Sequence, residues 1–402
     1  MVKKILIGVG GLVVALVLLV VVLFLVASSK LSATVEAPLP PITAATDAQS
    51  IARGKHIFES VCYDCHVQDG SGHAAGGVMP DLPKVFGAVI TANLTSHPTA
   101  GIKSVSDGLL ARAVRFGVRR DGHRLVTMPL FGMSDEDLAA VIGYMRTNDE
   151  LFAPDERVQT PPQLSPVGKL ALGMGLAPLP TWPASGLQAP PKGPTVEWGA
   201  YLAQDVYVCA ECHTPGVDGA KARGPDAFKG GFKFVDTPEG GIYSTNITFG
   251  QAGLAQYTVP EFSRALQHGI NREGIPLRLP MIRVRNLDDV DVQALYTFLQ
   301  SVPKAEDVVP ADAAPRVKAN FQAGPEKLFS DLGCALCHGE GAKYRDRLKP
   351  AVGKPAAEVA RWIRNPEATS PGTQMPTYHD LLNDEQALEM ANWVQAYAGK
   401  IP

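Results

Sequence analysis

The chain has 402 residues, 46% of them apolar and 19% charged, with a formal net charge of −3. That length suits roughly two to four ordinary domains, and the apolar content excludes a disordered or collagen-like protein. The near-neutral charge leaves no broad basic face to neutralise the phosphates of a nucleic acid. The 39 glycines and 33 prolines exceed the roughly 7% and 5% of an average chain and point to small, loop-rich units.

In chain order, residues Ile5 to Ala27 follow Lys3 and Lys4 without a charge or a proline. At about 1.5 Å per residue such a helix measures roughly 34 Å, enough to cross a bilayer core of about 30 Å. The stretch exceeds the roughly 7 to 15 apolar residues of a signal peptide, and Val26-Ala27-Ser28-Ser29 is a weak cleavage match. Residues 1–30 are therefore expected to remain as a single-pass transmembrane anchor. Lys3 and Lys4 hold the N-terminus in the cytoplasm, placing everything after Lys30 on the periplasmic side of the cytoplasmic membrane. Residues 31–46, rich in proline and small side chains, read as a flexible stalk. A first unit spans 47–152, a Pro-rich linker with ten prolines and an extended character spans 153–194, and a second unit spans 195–303. A shorter linker, 304–320, leads to a third unit, 321–402.

All six cysteines fall in three copies of one pentapeptide, one per unit: Cys62-Tyr-Asp-Cys65-His66, Cys209-Ala-Glu-Cys212-His213 and Cys334-Ala-Leu-Cys337-His338. Each unit opens with a short amphipathic segment carrying a glycine and then an aromatic, Gly54 and Phe58, Gly199 and Tyr201, Gly324 and Phe329. Each closes with a helix whose first-turn N–H groups can be capped by Ser134, Asp288 or Asn383, with Asp137, Asp291 and Gln386 three residues on. Apolar residues recur at helical spacing behind these caps: Leu138, Val141, Ile142 and Met145; Val292, Leu295, Tyr296 and Leu299; Ala387, Met390, Ala391 and Val394. Tyr144, Phe298 and Trp393 share one offset and are expected to lie over the opening helix's glycine.

Two thiols separated by two residues can add to both vinyl groups of one haem, and the histidine that follows is placed to ligate its iron, which makes Cys-x-x-Cys-His a c-type haem attachment site. Three separated Cys, Cys, His triads do not make closed tetrahedral zinc sites, and no alternating strand and helix pattern supports a thioredoxin-like motif. Three haem c groups are expected, held by Cys62 and Cys65, Cys209 and Cys212, Cys334 and Cys337, with His66, His213 and His338 as axial ligands.

The sixth iron position separates a carrier from a catalyst, since a methionine closes it and an open one admits small molecules. Met375, in the loop Gly372-Thr-Gln-Met375-Pro, is the candidate of the third unit, and Met128-Pro129 sits in the matching loop of the first, with Met79-Pro80 and Met133 as rivals. Aligning Arg120-Asp-Gly122 with Arg272-Glu-Gly274 brings Met281 opposite Met128, although Ile282 replaces the following proline. His56, His73, His97, His123, His268 and His379 are the alternatives for bis-His ligation and read as surface or supporting groups. Arg112, Arg115, Arg119, Arg120 and Arg124 gather before Met128; one or two are candidates to pair with haem propionates, the rest reading as solvated helix-face charges.

Units one and two share Thr91-Ala-Asn93-Leu-Thr95 and Ser244-Thr-Asn246-Ile-Thr248, then Ala113-Val-Arg-Phe-Gly117 and Ala265-Leu-Gln-His-Gly269. With the methionine loop and the capped closing helix, this succession resembles the trihaem cytochrome c subunit of membrane-bound periplasmic dehydrogenases acting on alcohols, gluconate or other sugars, and the third unit is similar to a short class I monohaem cytochrome c. The resemblance implies class I cytochrome c folds with His/Met haems, so that with the apolar first helix the expected architecture is mainly α, an N-terminal transmembrane helix followed by three class I cytochrome c domains. It also implies electron transfer from a dehydrogenase subunit to quinone or another acceptor. Family members attach through their C-terminal end, whereas the only anchor here is N-terminal. No Gly-x-Gly-x-x-Gly stands between a strand and a helix, so dehydrogenation is assigned to another polypeptide and the chain is not expected to be an enzyme. The competing readings are a multihaem peroxidase with one open haem, sought first in unit two, and a docking subunit of a respiratory or photosynthetic complex.

Overall fold

A computed structural model describes residues 2–67, 72–79, 84–125, 127–175, 179–216, 221–237, 240–277, 281–312, 317–342, 344–370 and 373–402. The first element is a helix over Val2–Ser32. Its segment Ile5–Ser32 has a mean hydropathy of 3.3 over an exposed 18-residue stretch, with Ala27 near its end buried, so it is long and apolar enough to cross a membrane. Beyond it the described fold is helical. Its strands form three short antiparallel ribbons among the described residues: Gly77–Val78 with Ile90–Thr91, Gly87–Ala88 with Gln163–Leu164, and Lys233–Thr237 with Gly240–Tyr243.

The closing helices form where the caps place them. Ser134, Asp288 and Asn383 accept from the backbone N–H groups of Asp137, Asp291 and Gln386, opening helices over Asp135–Met145, Asp289–Ser301 and Asp384–Ala398. Asn383 and Gln386 complete a reciprocal capping box. Leu138, Ile142, Leu295, Ala387 and Met390 behind the caps are all buried, as helical spacing requires.

The opening helices of the first two units, Ala48–Ile57 and Val196–Tyr201, run into five-residue π-helical turns, Phe58–Cys62 and Leu202–Val206, before the cysteine segments. Such wider turns are rare and concentrate at functional sites. The opening helices cross the closing helices with backbone against backbone. A Cβ on Gly54 would lie 1.9 Å from the Ala140 carbonyl oxygen, and one on Gly199 would lie 2.0 Å from that of Ala294. Of the rings expected over these glycines, Phe298 does stand at Gly199, its Cβ 2.7 Å from where a Gly199 Cβ would lie, with its ring edge-on to Phe228; Tyr144 instead meets Phe58 and Phe152 edge-on. In the third unit the expectation fails, because Gly324 is the N-cap of Pro325–Asp331 with open space around it, while Trp393 lies tilted against Phe329 and stacks on Tyr397.

Residues 34–45, expected to be flexible, are docked on the first unit. The Val35 and Ala45 N–H groups donate to Gly122 and Ala139 carbonyls at 2.9 and 3.0 Å, Ala44 donates to Asp107, and Ile42 is buried in the core. Nor is the proline-rich segment wholly extended. Ser165 caps a helix over Pro166–Met174 with proline at its first turn, and two glycines there allow close approach. Gly168 packs on the Phe86 carbonyl and Gly173 on Ala27, near the end of the first helix.

One buried apolar cluster runs through residues of both the first two units, from Ile42 to Leu299, and a second surrounds Leu328, Phe329 and Met390 and takes in Ile270. The seam between the first two units is polar as well as apolar. Buried Asp137 accepts a bidentate pair from Arg53 at 2.9 Å and the Tyr201 hydroxyl at 2.6 Å. At the matching repeat position Trp198 Nε1 donates to Asp291 at 2.7 Å, and His56 Nε2 meets the Tyr207 hydroxyl at 2.8 Å. Arg285 spans all three units, donating to the Glu59 carbonyl at 2.7 Å and to Glu367 at 3.2 Å.

This packing can be tested at two positions. Gly54→Ala forces a side chain into a backbone carbonyl and is expected to cost about 1–3 kcal/mol or more, whereas Gly324→Ser, in open space and with a better cap, is expected to leave thermal stability unchanged or raised; equal effects would contradict the backbone contact. His56 is held neutral by burial, with Arg53 adding to the effect, and its pKa falls to about 4. Above pH 6.5 it is neutral folded and unfolded; between pH 6.5 and 4 only the unfolded chain gains the proton, so stability falls with pH by on the order of 3 kcal/mol and levels off below pH 4. Urea unfolding at pH 7 and pH 4 should show this loss in the wild type and not in His56→Gln, and equal acid sensitivity would count against it.

Candidate functional site

Each pentapeptide lies on a short helical segment: Tyr63–His66 after the π-turn, Cys209–Cys212, and Cys334–His338. The backbone turns sharply into the last two. Gly333 has φ 74° and Val208 φ 45°, a left-handed conformation that is unfavourable for a β-branched residue and is the kind of strain functional sites hold. None of the six cysteines is disulfide-bonded. The protein surroundings push the Cys62 and Cys209 thiols up to about 12 through desolvation, so both are protonated.

The three pentapeptide histidines share one arrangement. Nδ1 of His66 lies 3.0 Å from the Ala92 carbonyl, that of His213 2.7 Å from Thr245, and that of His338 2.8 Å from Tyr344. Desolvation lowers the pKa of each imidazole, favouring a neutral ring that donates through Nδ1. Nε2 is then the basic nitrogen, and an imidazole oriented this way is a ready metal ligand. Two thiols, with the next residue a neutral histidine fixed at Nδ1, fit a covalently attached haem in all three places.

Ala92 and Thr245 each precede the asparagine of the motif shared by units one and two. Buried Asn93 donates through Nδ2 to the Asp155 and Arg157 carbonyls at 2.9 and 3.0 Å and accepts from both Thr95 N–H and Thr95 hydroxyl. Asn246 does the same with the Ala305 carbonyl and Thr248. The motif therefore pins the histidine's carbonyl partner to the chain that leaves the closing helix. Its sequence signal was the repeat of Asn-x-Thr itself; its role required the tertiary contacts.

The candidate methionines occupy less uniform surroundings. Met128 is half-buried against the first core cluster and Met375 against the second. Arg283, buried and with its pKa lowered to about 10 by desolvation, donates to the Met375 carbonyl at 2.5 Å and the Gln267 carbonyl at 2.7 Å. Met281 is partly buried. Met133 is sealed in the core, and Met79 is partly buried with its N–H on Val89; Pro80 and Gly372 lie outside the described residues.

The other histidines are engaged within the protein. His56 meets Tyr207, His73 lies 3.6 Å from Asp155, His97 accepts from the Ala100 N–H, His123 lies 3.3 Å from Asp121, and His268 and His379 both face Asp380. Among the arginines, Arg115 corrects the reading of a solvated face: it is fully buried and clamps the Ala184 and Met133 carbonyls and Asp135 at 2.9 Å. Arg119 pairs with Asp121, and Arg112 donates to the Arg119 carbonyl at 2.6 Å.

Comparison with known proteins agrees with this chemistry. Residues 51–149 match the cytochrome c family. The chain is 27% identical over 389 residues to a nicotinate dehydrogenase subunit of Pseudomonas putida, covering 89% of this chain and 31% of that protein. It is 36% identical over 144 residues to the fructose dehydrogenase cytochrome subunit of Gluconobacter japonicus, covering 35% of this chain and 26% of the relative. It is 24% identical over 383 residues to the gluconate 2-dehydrogenase cytochrome c subunit of Pantoea cypripedii, covering 87% and 86%. The chain thus spans under a third of the first two relatives and most of the third. Residues 51–149 thus match a cytochrome c domain, and along most of its length the chain is similar to cytochrome c subunits of dehydrogenases.

Proposed function

We propose that the chain is a membrane-anchored trihaem c-type cytochrome, a subunit that takes electrons from the catalytic polypeptide of a dehydrogenase and delivers them to a downstream acceptor, with quinone a candidate. The observation that carries this reading is the threefold recurrence of a Cys-x-x-Cys-His segment whose histidine is fixed through Nδ1 to a backbone carbonyl. Haem c, when bound, supplies an iron that holds or gives up one electron. In this reading Cys62 and Cys65, Cys209 and Cys212, and Cys334 and Cys337 hold three haems in domains over 47–152, 195–303 and 321–402. His66, His213 and His338, together with Met128, Met281 and Met375, would supply the nitrogen and sulfur ligands to the haem irons.

The engagement of the remaining histidines with Tyr207, Asp155, Asp121, Asp380 and the Ala100 N–H supports methionine over bis-histidine ligation. The apolar helix Val2–Ser32 supports a single-pass anchor in the cytoplasmic membrane with the haem domains in the periplasm. Similarity to a gluconate 2-dehydrogenase cytochrome c subunit supports a dehydrogenase as partner.

Carbon monoxide separates this reading from a peroxidase-type enzyme with an open haem. The reduced wild type is expected to bind none, and Met128→Ala, Met281→Ala and Met375→Ala are each expected to bind one equivalent. Stoichiometric binding by the wild type would overturn the closed-site reading, and a variant that binds none would remove its methionine from the ligand set. Purification from native membranes in mild detergent is expected to bring a dehydrogenase subunit in equimolar amount; an oxidase or photosynthetic complex in its place would refute the dehydrogenase assignment.

A further inference from the structure

The seam between the second and third units carries a side-chain cluster that the haem chemistry does not use. His268 is the last residue of the helix Val259–His268, and it stands at the repeat position that Phe116 fills in the first unit, where the phenyl ring is fully buried. In place of that core aromatic, the second unit presents a partly exposed imidazole to the third. There His268 Nδ1 lies 3.4 Å from Asp380 Oδ2, and His379 Nε2 lies 3.1 Å from Asp380 Oδ1, so one carboxylate faces a nitrogen from each ring. One ligand atom from each of the three residues can be chosen so that all lie within 4.8 Å of one another.

Two features hold this cluster from both sides. The Thr377 N–H donates to the His268 carbonyl at 2.9 Å, fixing the third unit's segment against the helix end. Arg283 ties the Gln267 carbonyl, next to His268, to the Met375 carbonyl, four residues before His379. The cluster opens onto a cavity of about 330 Å³ lined also by Arg285 and Glu367. Two imidazoles and a carboxylate are the donor set of borderline divalent ions, and the C-terminal end of a helix favours a cation.

We propose that His268, His379 and Asp380 bind one divalent transition-metal ion of the zinc class, which cross-links the second and third units beside the Met375 loop. The ion accepts a lone pair from one nitrogen of each imidazole and from an Asp380 oxygen, and leaves coordination positions open to solvent. Its effect is to restrain the loop that carries Met375 relative to the second unit.

The test is titration of the full-length haem-loaded protein in detergent with zinc chloride, followed by calorimetry and thermal unfolding. One saturable equivalent and a zinc-dependent rise in melting temperature are expected. His268→Ala and His379→Ala should each weaken binding at least about tenfold with unchanged haem spectra, while His97→Ala binds as the wild type does. Zinc K-edge absorption of the wild-type complex, which needs no variant to fold, should show two imidazole ligands and one carboxylate. Absence of a saturable site, binding that survives both variants, or a sulfur-containing shell would overturn the proposal.

Discussion

The hydrogen bond from each pentapeptide histidine to a backbone carbonyl is the constraint on which the rest of this structure depends. An imidazole with Nδ1 committed has one remaining nitrogen, and its ring plane is set by whatever fixes the carbonyl. In the first two units the carbonyl belongs to Ala92 or Thr245, and the next residue, Asn93 or Asn246, is bound to the chain beyond the closing helix. The closing helix in turn packs on the opening helix through Gly54 or Gly199, and the opening helix delivers the cysteines. The ligand geometry is therefore closed on itself through four segments, and a shift in any one is felt at the histidine.

Similar contacts join the units. Asp137 belongs to no pentapeptide, yet it gathers Arg53 of its own unit and Tyr201 of the next, and being buried it depends on both partners. Arg285 reaches a carbonyl of the first unit and a carboxylate of the third from the second. Docking of residues 34–45 on the first unit, and of the helix Pro166–Met174 on the end of the first helix, ties the body to the apolar helix. The result is an assembly in which spacing between the pentapeptides is set by packing and polar contacts.

Much of this was legible in the sequence because it is local. The pentapeptides, the caps Ser134, Asp288 and Asn383 and the apolar spacing behind them are determined within a few residues, and the helices start where those caps put them. What was misread depends on distant partners. Composition alone gives a chain of prolines and alanines no reason to dock, yet residues 34–45 and 165–174 find carbonyls and glycines far along the chain. Gly324 shares a repeat position with Gly54 but caps a helix, and Arg115 looks like its exposed neighbours until Ala184 and Asp135 enclose it. The shared asparagines stood out as a repeat, while their work lay about sixty residues away at Asp155 and Ala305.

Whether all three pentapeptides hold haem in one chain is decided most directly by the intact mass of the protein purified from its native membranes, compared with the mass of the polypeptide. The expected result is an excess of three covalently attached haems, reduced by one when either Cys62 and Cys65, Cys209 and Cys212, or Cys334 and Cys337 are replaced together by alanine. An excess of two or fewer in the wild type, or a pair whose replacement leaves the mass excess unchanged, would contradict a trihaem chain.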